Sequence, residues 1–464
     1  MGDYEIMMDQ IKYNKVLYRS MIKYIYFFLI LGMYAIVLNS SGKYEDGMVY
    51  FSNALVIVYS LFNVLKDENK AYSARKTFYL FMFFFMGIAP ILQYKNGDET
   101  VGGYVIYEST YILTNVIIFF ILILFDLSYY YYYKRGIFNC LYKKISTDGF
   151  ERRKEERKLW QLVLLLISVF SFLYTLYYNR NQLYMLVFRG IEGMDVGAVE
   201  SGDFLSPLYH TFIRPLTVVC CINYWCFGQK RILKYILFLL AFISCFPTSL
   251  ARLRAAAYYI PMLLILYPAL RWKNRYILLF SWGLLLVFPF LNNFRNWGEG
   301  YELNLSPDFD MFRSMNFDSY QSFAFVIQND IITYGQQLLL VFFFWIPRSI
   351  WESKPYMSGR MVAHDYNLWF DQISMNYFGE GYLNFGLIGV LIFTIFLGYI
   401  TSMFDKMFWD YNKGNIKSLF TPFYLFFIGI YFFFMRGDLM YGFQYTIMLL
   451  IANYIIFYIT KKLL

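Results

Sequence analysis

Charge is scarce in this sequence: Asp, Glu, Lys and Arg make up 16% of its 464 residues, where an average soluble domain carries about 25%. Histidine occurs only twice, which argues against an imidazole-based metal centre. The five cysteines, at 140, 220, 221, 226 and 245, lie in or beside apolar stretches and form no CxxC pair. They offer neither a disulfide framework nor a zinc site. No phosphate-binding GxxxxGK[ST] loop, GxSxG elbow, HExxH helix or dinucleotide-binding glycine pattern is present, so the common soluble-enzyme classes find no foothold. Internal repeats are lacking too. The first apolar run follows Lys12, Lys15, Arg19 and Lys23 and ends without a small-residue cleavage site, as expected of an uncleaved signal anchor.

Apolar side chains are abundant instead. They make up 59% of the chain, aromatics alone 23%, and mean hydropathy is +0.42. A soluble fold this apolar could not cover its own surface, whereas lipid solvates such side chains well. The expected fold is an all-α integral membrane protein, one polytopic domain over 1–464. Stretches of about 17–25 apolar residues, enough to span a bilayer, fall at 22–39, 48–65, 77–94, 104–127, 159–178, 206–228, 232–249, 255–270, 276–292, 380–404, 418–435 and 440–459. That makes about twelve transmembrane helices. With both termini cytoplasmic, the inner loops hold 28 of the 41 Lys and Arg, as the positive-inside bias requires. The net charge of +9 is therefore a topological signal, and no nucleic-acid partner is implied.

Two outer loops stand out, a mid-sized one at 179–205 and a long one at 293–379. The latter contains the apolar segment 338–351 (LLLVFFFWIPRSIW), too short for a span and interrupted by Pro347 and Arg348; it is expected to be re-entrant or interfacial. On the inner side, 128–158 joins the tract Tyr129–Tyr133 to ERRKEERK. It is expected to form an aromatic belt followed by an interfacial amphipathic helix.

Positive charge on the outer face runs against the topological bias, and there it usually answers to an anion. Arg252 and Arg254 follow a very short turn between spans. Arg295 and Arg313 open the long loop; Arg348, Lys354 and Arg360 occupy its middle; Arg436 lies in MRGDLM. A diphosphate at the membrane surface is a natural ligand for such guanidinium forks. Plainer roles stand beside this one. Arg252 and Arg254 can snorkel to headgroups, Arg348 can anchor its segment, Arg436 can cap a turn against Asp438, and Arg295, Arg313 and Arg360 can be ordinary surface charges. His364 can be a loop hydrogen-bonder, and Glu380 a carboxylate at a helix start.

Four pieces of the second half resemble the Wzy-type polymerases of O-antigen and capsular polysaccharide repeat units. They are FPTSLARLRAAAYYIP, in which Arg252 matches the family pattern and Arg254 does not; FDSYQSF at 317–323; IPRSIWESKP at 346–355; and FGEGYLNFGLIGV at 378–390. The resemblance implies a multi-pass enzyme of the bacterial cytoplasmic membrane, active on its periplasmic or extracellular face. It would transfer a growing glycan from undecaprenyl diphosphate to the non-reducing end of a new carrier-linked repeat unit. Arg252, Arg254, Arg348, Lys354 and Arg436 would hold the diphosphate. Glu380, Asp318 and His364 are the candidate bases for the attacking sugar hydroxyl. Trp351, Tyr356, Tyr366 and Trp369 suit stacking on sugars, although interfacial anchoring explains them equally. No cofactor or metal is expected, and a chain-length regulator protein is a conceivable partner alongside the bilayer and the lipid-linked glycans. An O-antigen ligase, which delivers the glycan to lipid A core, needs the same arginines. A lipid-linked oligosaccharide flippase is a further alternative, but it calls for ionisable groups near the bilayer midplane, and here the span interiors are almost uncharged: Glu108 and Asp126 lie near the two ends of one helix and Arg214 near the start of another.

Overall fold

The computed structural model describes residues 32, 45–66, 70–97, 104–135, 154–183, 186, 205–250, 252–271, 275–284, 312–313, 315–370 and 373–463. Among them the chain is helical and contains no β-strand. In order the helices are α1 (Gly47–Leu65), α2 (Ala74–Asn96), α3 (Glu108–Arg135), α4 (Lys154–Tyr178), α5 (Leu216–Phe227), α6 (Arg231–Ser244), α7 (Arg252–Leu266), α8 (Arg275–Trp282), α9 (Ser319–Gln328), α10 (Gln336–Phe342), α11 (Ser358–Asp365), α12 (Tyr377–Lys406), α13 (Thr421–Arg436) and α14 (Leu439–Leu463).

Six of these stretches are long and apolar enough to cross a bilayer: α1, α2, α3, most of α4 (Arg157–Tyr178), α12 with its extension to Tyr411, and α14. Their packing inverts that of a soluble bundle. On α4, Leu159, Leu162, Leu166, Phe170, Leu173 and Tyr177 face outward at helical spacing, while Trp160, Ser168, Ser171 and Thr175 are buried. On α3, Leu113, Val116, Phe120, Ile123 and Leu127 are exposed, and Thr114, Asn115 and Ser128 turn inward. An apolar outer stripe over a polar seam suits a lipid solvent. α2, apolar from Phe78 to Leu92 on every face, is enclosed by its neighbours, as a central helix must be.

The other expected spans are shorter. α7 and α13 are apolar helices below full spanning length. The stretch 206–228 forms the helical turns Leu205–Leu208 and Tyr209–Ile213, followed by the 12-residue α5. The stretch 232–249 forms the 14-residue α6, and 276–292 is described only as far as Leu284, helical throughout. The segment 22–39 lies outside the described residues apart from Gly32, and so do 285–292. Most of the segment expected to form the interfacial helix, 136–153, lies outside the described residues. Tyr129–Tyr133 complete α3, and Lys154–Lys158 begin α4, because helix propagation continues through both charged ends. The segment 338–351 forms no continuous helix: α10 ends at Phe342 and turns follow.

One end of the bundle is tied by buried charge. Asp405 accepts hydrogen bonds from the amide N–H groups of Ala74 (2.9 Å) and Arg75 (3.3 Å) and from the hydroxyls of Tyr129 (2.9 Å) and Tyr424 (2.7 Å). A single carboxylate thereby caps α2 and joins it to α3, α12 and α13. Beside it the buried Arg75 pairs with Asp126 at 2.7 Å and donates to the Asn63 side-chain oxygen at 2.6 Å. Where α7 crosses α13, Pro261 cannot donate to the Ala257 carbonyl. Gly429 lies against that spot, where a Cβ would come 2.4 Å from the Ala257 oxygen.

The opposite end, toward residues 312–376, is organised by a break in α12. Phe385 and Gly386 leave helical geometry, Gly386 with φ 60° and ψ −146°. The chain doubles back there: the Tyr377 hydroxyl donates to the Phe393 carbonyl at 3.0 Å, although sixteen residues of straight helix would separate their levels by about 24 Å. Tyr377–Asn384 is thus an arm laid antiparallel against the long helix that starts after Gly386. The arm touches the helix through Gly381 and Gly389, and a Cβ on Gly389 would lie 1.9 Å from the Gly381 oxygen. Gly389→Ala is therefore expected to pry the arm loose and cost about 1–3 kcal/mol, read as a lowered melting temperature of the detergent-purified protein. Gly47→Ala, with nothing within 4 Å, should leave the melt unchanged; equal losses would contradict the close approach.

Candidate active site

The arm carries Glu380. The sequence suggested a position at the outer start of a span, and the fold-back corrects this: the residue lies beside the long helix, about one turn below the break. Asn376 caps the arm, its side-chain oxygen accepting from the Phe378 and Gly379 amides at 2.9 Å each. Its amide nitrogen donates to the Ser319 carbonyl, fixing the arm to α9. Glu380 is 1% exposed. One carboxylate oxygen accepts from the Ser358 hydroxyl at 2.7 Å and the other from the Leu439 amide at 2.9 Å. Ser358 opens α11 and Leu439 opens α14, so one side chain joins three helix starts.

Asp438 precedes Leu439 and receives the Met375 and Gly359 amides. Glycine is required at 359, where a Cβ would sit 1.8 Å from the Ile373 oxygen. Burial foremost, with Asp318 adding to it and the bonded amides and Arg436 opposing, pushes the Asp438 carboxyl up to about 7. Asp318, at the start of α9, pairs with Arg436 at 3.0 Å. Burial raises its carboxyl above the usual range, and Arg436 pulls the other way. Glu380, Asp318 and the pair Arg436 and Asp438 thus form one buried knot built from three separate parts of the chain. The expected turn contact of Arg436 with Asp438 gives way to its pairing with Asp318, 118 residues away.

A second group lies around α11 and the loop before it. The guanidinium groups of Arg348 and Arg360 lie 5.0 Å and 5.2 Å from the centre of the Tyr356 ring, and His364 lies 5.9 Å from it. Arg348 donates to the Lys354 and Pro355 carbonyls at 2.6 and 3.1 Å, and Lys354 donates to those of Phe344 and Ile346 at 2.8 Å each. Desolvation and the nearby Arg348 lower the Lys354 ammonium. These two cations brace their own loop and do not join the carboxylate knot. His364 is exposed and bonds only the adjacent Asp365, at 3.4 Å. Trp351 donates to Ser353 at 3.1 Å, the exposed Trp369 lies against Phe370, and Tyr366 is edge-on to Phe325 and Tyr104.

Arg254 occupies a third setting. It donates to the Tyr445 hydroxyl at 2.9 Å, and Tyr258 and Tyr441 flank it. Tyr441 also feels Asp438 and Arg360, which sets the Arg254 site beside the knot. The side chain of Arg252 and all of Arg295 lie outside the described residues; Arg313 is half-buried. Neither Ser358 nor Asp438 stands out in the sequence as a partner of Glu380. Only the juxtaposition of Arg436 and Asp438 in MRGDLM hinted that this turn belongs to a site.

Comparison of the chain with protein-family models, with curated proteins and with solved structures finds no match. Removing one member of a buried ion pair strands the other charge. Arg436→Ala is therefore expected to cost about 3–5 kcal/mol, while Arg436→Ala combined with Asp318→Asn should recover much of that loss. Thermal unfolding in detergent reads the difference, and equal destabilisation in the single and double variants would contradict the pairing.

Proposed function

We propose that this chain is a membrane glycosyltransferase of the Wzy polymerase type, with about twelve spans, cytoplasmic termini and the carboxylate knot on the outer face of a bacterial cytoplasmic membrane. It lengthens a polysaccharide, O-antigen or capsule, by moving the growing glycan from undecaprenyl diphosphate onto a carrier-linked repeat unit. The observation that carries this reading is the junction around Glu380. Two of the four stretches that resemble the family contribute: FDSYQSF supplies Asp318, and FGEGYLNFG supplies Glu380 and the break at Gly386; Arg254, outside the family pattern, reaches α14 through its bond to Tyr445.

The chemistry needs an acceptor hydroxyl, a base and a stabilised leaving group. The hydroxyl oxygen attacks the anomeric carbon of the donor glycan, and its proton passes to Glu380. The bond from that carbon to the carrier oxygen breaks, and the diphosphate departs with the electron pair. Guanidinium groups held in place before the reaction stabilise the charge that develops there, a role for Arg254 and, at the knot's edge, Arg436 and Arg360. Asp438, buried beside Glu380, can pass a proton onward. Ser358 covers Glu380, so α11 acts as a lid that withdraws to admit the acceptor.

Deleting the gene and separating surface polysaccharide on a gel tests the reading. Collapse of the ladder to single-repeat species is expected. Complete loss of glycan-capped lipopolysaccharide, with carrier-linked polymer accumulating, would instead mean a ligase. Complementation with Glu380→Gln should lower polymer formation about 100-fold or more, as the loss of a general base does, at unchanged protein level. A wild-type ladder from that variant would remove Glu380 from the chemistry.

A further inference from the structure

Five large apolar side chains, Leu339, Phe342, Phe343, Trp345 and Ile350, stand 42–77% exposed on α10 and the turns after it. An exposed apolar cluster of this size marks an interaction surface. This one continues onto surface that faces lipid. α10 follows Gly335, where a Cβ would come 3.1 Å from the Phe385 ring, and the Leu338 amide donates to Asn384 at 2.8 Å. At that break in α12 the outward stripe of Phe385, Leu387, Ile388 and Ile392 begins. On the other side, the rings of Phe342 and Phe344 lie 6.1 and 6.4 Å from that of Phe443, about 6 Å along α14 from its start.

The backbone here is prepared for a setting with little water. Irregular segments at membrane depth need internal partners for their carbonyls. Lys354 donates to the carbonyls of Phe344 and Ile346, and Arg348 to those of Lys354 and Pro355. The Leu339, Phe343 and Pro347 carbonyls accept from amides of the same segment. Two cations thus clasp the turns and leave the apolar side chains outward.

The other side of this short helix faces the knot. Gln337, 1% exposed, holds its side-chain oxygen 3.4 Å from the Ser358 hydroxyl that donates to Glu380. Its amide nitrogen lies 2.9 Å from the Met361 sulfur of α11. At 3.6 residues per turn, Leu339, Phe342 and Phe343 fall on the opposite side of α10. We propose that Leu339–Ile350 docks shallowly in the leaflet at the knot end of the bundle, so that the lipid surface holds α11 closed over Glu380. The lid role of α11 rests on the proposed function. The docking surface rests on the exposed cluster, its continuity with the stripe of α12, and the clasped carbonyls. Lipid stabilises closure because lifting the lid draws this apolar surface into water.

The test uses the purified full chain with Cys140→Ser, the other four cysteines being buried, in vesicles of phosphatidylethanolamine and phosphatidylglycerol. A spin label is attached at Trp345→Cys, Ile350→Cys or the exposed Asp365→Cys. Its relaxation by dissolved oxygen is compared with that by a water-soluble nickel chelate. Oxygen is expected to dominate at 345 and 350, and nickel at 365. Equal nickel relaxation at 345 and 365 would overturn the proposal. So would labels shielded from both reagents and broadened by one another, which would mean a face between two copies of this chain. Trp345→Asp should speed hydrogen exchange of the α11 amides about 10-fold or more, the worth of one aromatic side chain moved from lipid to water. Tyr334→Ser, exposed outside the cluster, should leave that exchange unchanged. Unaltered α11 exchange in Trp345→Asp would break the link between lipid and lid. No glycan enters these measurements, so a docked, lid-coupled segment in a chain whose deletion leaves polymer length unchanged keeps this inference and loses the polymerase reading.

Discussion

Breaking a helix among lipid-soluble segments frees backbone groups that hydrocarbon cannot satisfy, and much of the loop end of this protein answers to that constraint. The break at Phe385–Gly386 releases the Leu383 carbonyl, which accepts from both the amide and the hydroxyl of Thr333, at 2.6 and 2.9 Å. The Asn384 side-chain oxygen accepts from the Leu338 amide at 2.8 Å, and its side-chain nitrogen donates to the Glu380 carbonyl at 2.8 Å. The turn before α10 is thereby stitched to the arm, and Tyr382 adds a bond to Asp330 at 2.8 Å. With these bonds in place the arm holds Glu380 under Ser358 and against Leu439. Without them the carboxylate would ride on the end of a straight helix, far from both.

The two ends of the bundle use buried acid differently. At Asp405 four donors surround one carboxylate, and every one of them belongs to the scaffold. Such a group welds helices together and leaves no capacity for a ligand. At the knot, Glu380 accepts from a hydroxyl and an amide, Asp438 from amides, and Asp318 from the guanidinium of Arg436 and the Ser374 amide. Carboxylates crowded together with so little positive charge are poised for proton exchange, whereas the tyrosine-lined Arg254 nearby is poised for an anion. On the proposed glycosyl transfer, acid–base work would fall to the knot and phosphate binding to Arg254.

Much of the architecture was legible from hydropathy, because helices that face lipid advertise themselves by outward apolar stripes such as Leu159 to Tyr177. The site was legible in part. Glu380, Asp318 and Arg436 were each singled out, but their partners were not, since Asp318 and Arg436 are 118 residues apart and the nearer Asp438 offered itself in sequence. The fold-back was invisible: FGEGYLNFGLIGV keeps a helical apolar pattern across the break, and glycine at 386 permits a positive φ without announcing it. Arg348 and Lys354 look like an exposed cationic pair in sequence. Only three-dimensional geometry reveals that they spend their donors on carbonyls of their own loop.

Reconstitution tests the central claim most directly. The purified chain in lipid vesicles, given carrier-linked repeat units from the strain that encodes it and no other protein, should convert single repeats into longer carrier-linked chains and release free undecaprenyl diphosphate in step. Substrate that stays as single repeats, in the presence of folded protein that binds it, would contradict the assignment of glycosyl transfer to the Glu380 knot.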